Sequence, residues 1–206
     1  MKKKMMLAVA AVMMLAACTG SKTTHLSGEF GDNAPDRVKV SVGEDFDKTV
    51  EVNDDKFEVD VPKNLTSLSR VRAGMSVYSF ISDGSKITLN PADGKAYSDK
   101  KKGVHSRYVE YNKWTKAFKA EYRRKADELG DDQAAVDAYF NEMLAQYNDY
   151  VKATIKANKD NVLGVITISE YGSDDPKVIL PLIKTLSSKM QQHPDVVKLK
   201  KAYEAK

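Results

Sequence analysis

Residues 104–157 read VHSRYVEYNKWTKAFKAEYRRKADELGDDQAAVDAYFNEMLAQYNDYVKATIKA, and the hydrophobic period of this stretch decides the fold. Apolar and aromatic side chains recur every three or four residues, which is typical of a helix buried along one face. The two stripes with this spacing are Val104, Tyr108, Tyr111, Thr115, Phe118, Tyr122 and Leu129, then Val136, Phe140, Met143, Leu144, Tyr147, Val151 and Ile155. Gly130 suits the end of the first helix, and Asp131 or Asp132 suits the N-cap of the second. The stretch therefore predicts two long antiparallel helices.

Shorter helices are expected after this hairpin. Helical periodicity continues at about residues 162–171, 176–190 and 194–205. Pro176 and Pro194 fall at first-turn positions, where a helix tolerates proline. We therefore expect a helical domain over residues 93–206.

Strands are expected before the hairpin, because between Leu26 and about Asn90 the hydrophobic period is two. The alternating sets are Val38, Val40 and Val42; Val50 and Val52; Phe57, Val59 and Val61; Val77, Ser79 and Ile81; and Ile87 and Leu89. Turn signals at residues 31–33, 53–55, 62–64 and 83–85 separate them. The pattern predicts an antiparallel meander or small sandwich over residues 26–92, and the fold class is α+β.

The first 17 residues have the composition of a signal peptide. Three lysines at positions 2–4 precede an apolar run over residues 5–17, which is too short to cross a hydrocarbon core about 30 Å thick. Leu15-Ala16-Ala17-Cys18 resembles the bacterial lipobox, in which the cysteine carries diacylglycerol. We therefore expect Cys18 to be acylated and residues 18–25 to form a lipidated tether. The alternative is a buried thiol in an uncleaved helix.

Charge and cysteine content exclude several classes of function. The chain has 33 basic and 29 acidic residues, and removal of residues 1–17 takes away three lysines, so the mature protein is nearly neutral. An exported, nearly neutral protein is not expected to bind nucleic acid. Acylation of Cys18, the one cysteine, leaves no thiol for redox or nucleophilic chemistry.

No metal, cofactor or catalytic site is expected. The three histidines are far apart, and Asp54-Asp55 and Asp174-Asp175 lack the alternating ligands and central glycine of a calcium loop. The sequence also lacks a phosphate-binding glycine loop, a Gly-x-Ser-x-Gly elbow and a pair of carboxylates that spacing singles out.

The candidate binding surface lies on the first long helix and consists of Trp114, Lys116, Lys119 and Arg123. The aromatic residues of the hairpin could form a platform for glycans or peptides, but helical spacing favours a packing seam between the two helices. The basic residues could form a solvated helix face, or could attract anionic lipid headgroups or an acidic partner.

The order of the elements is similar to that of a known family. The resemblance rests on five short segments: LSGEF at residues 26–30, VEVNDDKFEV at 50–59, FISDGSKITL at 80–89, IKANKDNVLG at 155–164 and HPDVVKL at 193–199. They resemble the domain of unknown function that opens many Bacteroidetes cell-envelope lipoproteins, followed by a helical segment. In that family a thioredoxin-like thiol:disulfide oxidoreductase domain usually comes next. It has no counterpart here, and neither has its Cys-x-x-Cys, so redox activity is not expected to carry over.

The resulting expectation is a lipid-anchored envelope protein with a non-catalytic binding or accessory role. The resemblance implies a link to an envelope thiol:disulfide system, with an envelope protein as partner. Lipoproteins of the resembled group that are sent to the cell surface typically have acidic residues soon after the cysteine, and residues 19–24 contain none. Thr19 is also not the aspartate that retains enterobacterial lipoproteins in the inner membrane. We therefore expect the protein on the periplasmic face of the outer membrane. The alternatives are an envelope hydrolase with unidentified carboxylates and a structural, membrane-proximal spacer.

Overall fold

The computed structural model describes residues 21–173 and 175–205. The predicted signal peptide, Cys18 and Asp174 lie outside these residues. A strand region is followed by a helical region, which confirms the α+β class.

Eight strands form the first half of the described chain. They are β1 Thr23–Glu29, β2 Arg37–Val42, β3 Phe46–Glu51, β4 Lys56–Pro62, β5 Asn64–Ala73, β6 Ser76–Ser82, β7 Lys86–Asn90 and β8 Lys95–Ser98. One sheet has the order β4-β1-β7-β8 and the other the order β3-β2-β5-β6. The pairings are antiparallel except that of β1 with β7, which is parallel.

The two sheets share one apolar core, so the β region is a sandwich. Leu26, Phe57 and Ile87 from the first sheet and Val40 and Phe80 from the second belong to one buried cluster. Alternate side chains point inward, as the period of a strand requires.

Gly28 of β1 is needed at its position in this core. A Cβ there would lie 2.7 Å from a ring carbon of Phe57. The glycine therefore leaves the space that the Phe57 ring fills.

Strand β6 differs from the prediction. The alternation of Val77, Ser79 and Ile81 was expected to face the core, but Tyr78 and Phe80 face it, while Val77 is 49% exposed. Ile81 is buried on the opposite side, against the helices. The predicted core-facing side of β6 is wrong because the end of this strand is buried on both sides, by the sandwich core and by the helices. A strand that is buried on both sides lacks the alternation of apolar and polar residues that would identify its core face.

The strands extend beyond residues 26–92, the range predicted for them. Strand β1 begins at Thr23, so residues 23–25 of the predicted tether belong to the sheet. Thr24 is buried and its hydroxyl accepts a hydrogen bond from the Gly84 N–H at 2.8 Å, which explains how a polar residue takes part in the core. At the other end, β8 extends the β region to Ser98.

Six helices follow. They are α1 Val104–Leu129, α2 Gln133–Ala157, α3 Val162–Glu170, α4 Pro176–Thr185, α5 Ser188–Gln191 and α6 Pro194–Glu204. The side chain of Asp132 accepts a hydrogen bond from the Ala135 N–H and caps α2. Trp114 meets Tyr150 and Tyr122 meets Phe140, so the two helices run in opposite directions and the predicted antiparallel hairpin is confirmed. The predicted helix over residues 176–190 is two helices, because the backbone at Leu186 is extended.

The helical region has its own core and a tight junction with the sandwich. Val151, Ile155, Ile168 and Ile183 lie in a buried cluster formed by α2, α3, α4, α5 and α6. A smaller cluster joins β6 to α1 and α3. Among the described residues, no helix is long and apolar enough to cross a membrane.

Candidate functional site

The candidate site is a groove in the half of the α1–α2 hairpin that lies away from the sandwich. We name it the hairpin groove; its volume is about 430 Å³. It is lined by Phe118, Lys119, Tyr122, Arg123, Phe140, Met143, Leu144, Tyr147, Glu170 and Tyr171.

The groove exists because the rest of the helical region covers only one half of the hairpin. Val151 and Ile155, in the second half of α2, are buried in the helical core. Earlier in the same helix, Phe140 and Leu144 remain 43% and 40% exposed. The apolar stripe of α2 therefore continues beyond the elements that cover it.

Stacked aromatic rings connect the two long helices and form one wall of the groove. The ring of Trp114 on α1 lies 3.6 Å from that of Tyr150 on α2 and 5.0 Å from that of Phe118. Phe118 in turn lies 5.3 Å from Tyr147. Because the Trp114–Tyr150 and Phe118–Tyr147 contacts join α1 to α2, the rings form a packing seam, and the seam opens into the groove at Phe118 and Tyr147.

The structure places two of the four predicted surface residues in the groove and two outside it. Lys119 and Arg123 line the groove, but Trp114 is half-buried in the seam. Lys116 is exposed and is not part of the groove lining. Helices α2 and α3 also contribute to the lining, which the sequence does not indicate, because the exposure of Phe140 and Leu144 depends on how far the later helices cover α2.

The rim cations of the groove are unpaired within the described part of the chain. No carboxylate there lies within 4.0 Å of the Lys119 ammonium or the Arg123 guanidinium. The neighbouring Arg124 differs, because it pairs with Glu121 and Glu128 on its own helix. Lys119 and Arg123 are thus available to an anionic group.

Two tyrosines of the groove, Tyr147 and Tyr171, have raised pKa values. Burial raises the pKa of Tyr147, and the negative charge of Glu170 raises it further. Burial also raises the pKa of Tyr171, whose hydroxyl donates a hydrogen bond to Asn148. Both side chains therefore stay protonated at neutral pH and present apolar ring surface to the groove.

A second, larger cleft lies between the sandwich and the helices, with a volume of about 700 Å³. Most of its lining residues are polar or charged, among them Glu44, Asp45 and Arg70 from the β region. At one end the Nε2 of His193 lies 2.8 Å from the carbonyl oxygen of Thr66, a contact that ties α6 to β5. No local pattern marks this cleft in the sequence, because it forms only when distant segments pack together.

The histidines do not form a shared site. His25 lies on the outer face of the sandwich beside Asp60, at 3.0 Å, whereas His105 is fully buried at the start of α1. Within residues 21–173 and 175–205, no group of three or more His, Cys, Asp or Glu side chains is placed to hold a metal ion.

Comparisons of the chain with protein-family models, with curated proteins and with solved structures find no match. The residues of the hairpin groove are therefore the basis for assigning a function.

Proposed function

We propose that the protein is a lipid-anchored, non-catalytic binding protein of the bacterial cell envelope, and that its hairpin groove binds an apolar ligand with an anionic group. One observation carries the proposal. Exposed apolar side chains at Phe140 and Leu144 lie in the same groove as two unpaired cations, Lys119 and Arg123.

The apolar part of the groove accounts for affinity. Its volume of about 430 Å³ falls within the range of small-ligand sites, which are lined mainly by apolar and aromatic side chains. Each square ångström of apolar surface removed from water contributes about 25 cal/mol. Phe118, Phe140, Met143 and Leu144 would contact the ligand's apolar part.

The charged rim accounts for specificity. Lys119 and Arg123 are four residues apart on α1, so their side chains project from the same helix face. A guanidinium can hold a carboxylate or phosphate through two parallel hydrogen bonds. Because Glu170 lies on the α3 side of the groove, it would repel an anion there and direct it to the α1 side.

The envelope location rests on the lipobox-like Leu15-Ala16-Ala17-Cys18, outside the described residues. Acylation at Cys18 would hold the protein to the membrane, with the periplasmic face of the outer membrane as the proposed site. The proposed ligand could then be part of an envelope protein or a free amphiphile. A link to a thiol:disulfide system stays a prediction of the family resemblance.

Fluorescent displacement tests the proposal. Anilinonaphthalene sulfonate, an aromatic anion, is expected to bind the chain from residue 18 saturably, and dodecanoate should displace it more strongly than dodecanol. Phe140→Ser with Leu144→Ser should weaken both competitors at least about tenfold, since each exposed apolar side chain that a ligand buries contributes of order 1 kcal/mol. Lys119→Gln with Arg123→Gln should weaken dodecanoate alone.

Val197→Ser is the matched control, because Val197 on α6 is an exposed apolar residue, at 37%, outside the groove. Equal losses in the control and in the groove variant would contradict the proposal. Absence of saturable binding would also contradict it and would favour the spacer interpretation.

A further inference from the structure

The loops at one end of the molecule converge on the point where the described chain begins. The Lys22 carbonyl accepts a hydrogen bond from the Lys63 N–H at 2.8 Å, so the β4–β5 turn lies against this point. The β6–β7 turn is equally close, since a Cβ on Gly84 would lie 2.8 Å from the Ser21 carbonyl oxygen. Lys100, just before α1, donates from its Nζ to the Gly84 carbonyl at 2.8 Å.

The helical region contributes to the same end. Lys189 on α5 lines a shallow cleft of about 600 Å³ together with Lys22 and Lys63. The Ser187 N–H donates to the Lys159 carbonyl at 3.0 Å, which brings the α2–α3 loop beside α5.

These segments are rich in lysine, and we call this end the basic pole. Its lysines are Lys22, Lys63, Lys100, Lys101, Lys102, Lys159 and Lys189. Within the described part of the chain, none of them has a carboxylate within 4.0 Å.

The aspartates of the same loops neutralise the pole only in part. They are Asp83, Asp99 and Asp160. The Asp83 carboxylate is buried and accepts hydrogen bonds from His105 and Ser85. The Asp99 carboxylate accepts one from the Lys86 N–H. The pole therefore keeps an excess of positive charge.

Covalent geometry places the pole close to the proposed anchor. Three peptide units join Cys18 to Ser21, so their Cα atoms can be at most about 11 Å apart. This is close to the Debye length of about 10 Å at moderate salt, so the lysines beside Ser21, Lys22 and Lys63, would be attracted by an anionic bilayer that holds Cys18.

We propose that the basic pole is a membrane-contact surface that binds anionic phospholipid headgroups. The inference rests on the proposed acylation of Cys18, because the anchor is what brings the pole to a bilayer. A lipid surface fits better than an acidic protein, since the lysines surround the exit of the chain towards Cys18. A basic patch beside an acyl anchor strengthens membrane attachment and fixes orientation. The hairpin groove, at the other end of α1, would then point away from the bilayer.

Vesicle flotation tests the proposal with the chain from residue 18 carrying Cys18→Ser, so that no acyl group contributes. We expect binding to phosphatidylcholine vesicles that contain phosphatidylglycerol, little binding to phosphatidylcholine alone, and weaker binding as salt rises. The variant Lys22→Gln/Lys63→Gln/Lys189→Gln, which changes three exposed side chains, should lower the partition coefficient at least about tenfold.

The control is Lys113→Gln/Lys116→Gln/Lys201→Gln, which removes the same charge from exposed positions outside the pole and the groove lining. It should bind the anionic vesicles nearly as well as the parent chain, and a larger loss in this variant than in the pole variant would assign lipid binding to the basic face of α1 and overturn the proposal. Equal losses in the two triple variants would overturn the proposal in favour of overall charge, and no binding by the parent chain would also overturn it. Binding to polyglutamate but not to vesicles would assign the pole to an acidic protein instead. None of these outcomes depends on the groove, which the displacement assay tests, or on acylation, which fatty-acid labelling tests.

Discussion

The carboxylate of Asp83, in the turn between β6 and β7, accepts a hydrogen bond from the backbone N–H of His105 at 3.0 Å and so caps α1 from the sandwich. The residue at the N-cap position itself, Gly103, has no side chain to do so. The other oxygen of the Asp83 carboxylate accepts hydrogen bonds from the backbone N–H and hydroxyl of Ser85. The same carboxylate therefore orders the β6–β7 turn and the start of the first long helix.

Replacement of this cap should destabilise the protein. Asp83→Ala removes the acceptor for His105 and leaves a buried N–H unpaired, which should lower the free energy of unfolding by about 1–3 kcal/mol. Urea denaturation of the chain from residue 18 measures the effect. Asp160→Ala is the control, because Asp160 is exposed. If the two variants are equally stable, the cap makes no contribution.

Stability should fall below neutral pH because of His105. Burial lowers the pKa of this imidazole, although a hydrogen bond to the Ala96 carbonyl and the charge of Asp83 act in the opposite direction. The unfolded chain, with a histidine pKa of about 6.5, then binds the proton more readily than the folded chain. The contribution of His105 is present above about pH 6.5 and is lost as the pH falls towards the folded pKa.

Unfolding free energies measured between about pH 7.5 and 5 check this dependence. His105→Gln should be less stable at neutral pH, since it loses the hydrogen bonds to Ile81 and Ala96, but its stability should change less over this interval. A wild-type slope in His105→Gln would rule out this histidine as the cause.

The helix hairpin could be predicted from the sequence because its signals are local. The stripes, Gly130 and Asp132 lie within the segments that they define. Strand β5 could not be predicted because its first half, residues 64–68, has no period-two hydrophobic pattern. The pairing of this strand with β6 is also irregular, since the register shifts between Asn64 and Ser69. The core-facing side of β6 could not be identified for a similar reason. Ile81, on the opposite side of the strand, is buried only because helices that come later in the chain cover it.

The candidate site was only partly predictable. Lys119 and Arg123 were found because clustered cations on one helix face are visible in the sequence. Their association with Phe140 and Leu144 depends on how far α3 and α4 cover α2, which no local pattern encodes. The basic pole was invisible for the same reason, because its lysines come from five separate segments.

Acylation of Cys18 is a separate prediction. Radiolabelled palmitate should enter the wild-type protein in a bacterial host and should not enter Cys18→Ser, because the lipobox-like sequence places this cysteine at the cleavage point. Label in both proteins would show that Cys18 is not the acylated residue.

Protease added to intact cells should spare the protein if it faces the periplasm, so digestion would contradict the proposed orientation.

The last prediction separates the packing seam from a ligand platform. Tyr111 is 1% exposed, and its ring stacks on that of Tyr150, whose other neighbour is Trp114. Removal of a buried aromatic side chain costs about 3–5 kcal/mol, which is a large part of the stability of a domain. Tyr111→Ala and Trp114→Ala should therefore lower the thermal midpoint by many degrees.

Tyr122 should behave differently from these two residues. Its ring is half-buried and meets the exposed Phe140 edge-on at 5.8 Å, so Tyr122→Ala should cost less stability than Tyr111→Ala. Lys116→Ala, on the solvated face, should change the free energy of unfolding by less than about 0.5 kcal/mol. Thermal denaturation followed by circular dichroism gives the order of the four variants. If Trp114→Ala keeps wild-type stability but no longer binds anilinonaphthalene sulfonate, the seam interpretation is wrong, because the ring would then contact ligand rather than hold α1 against α2.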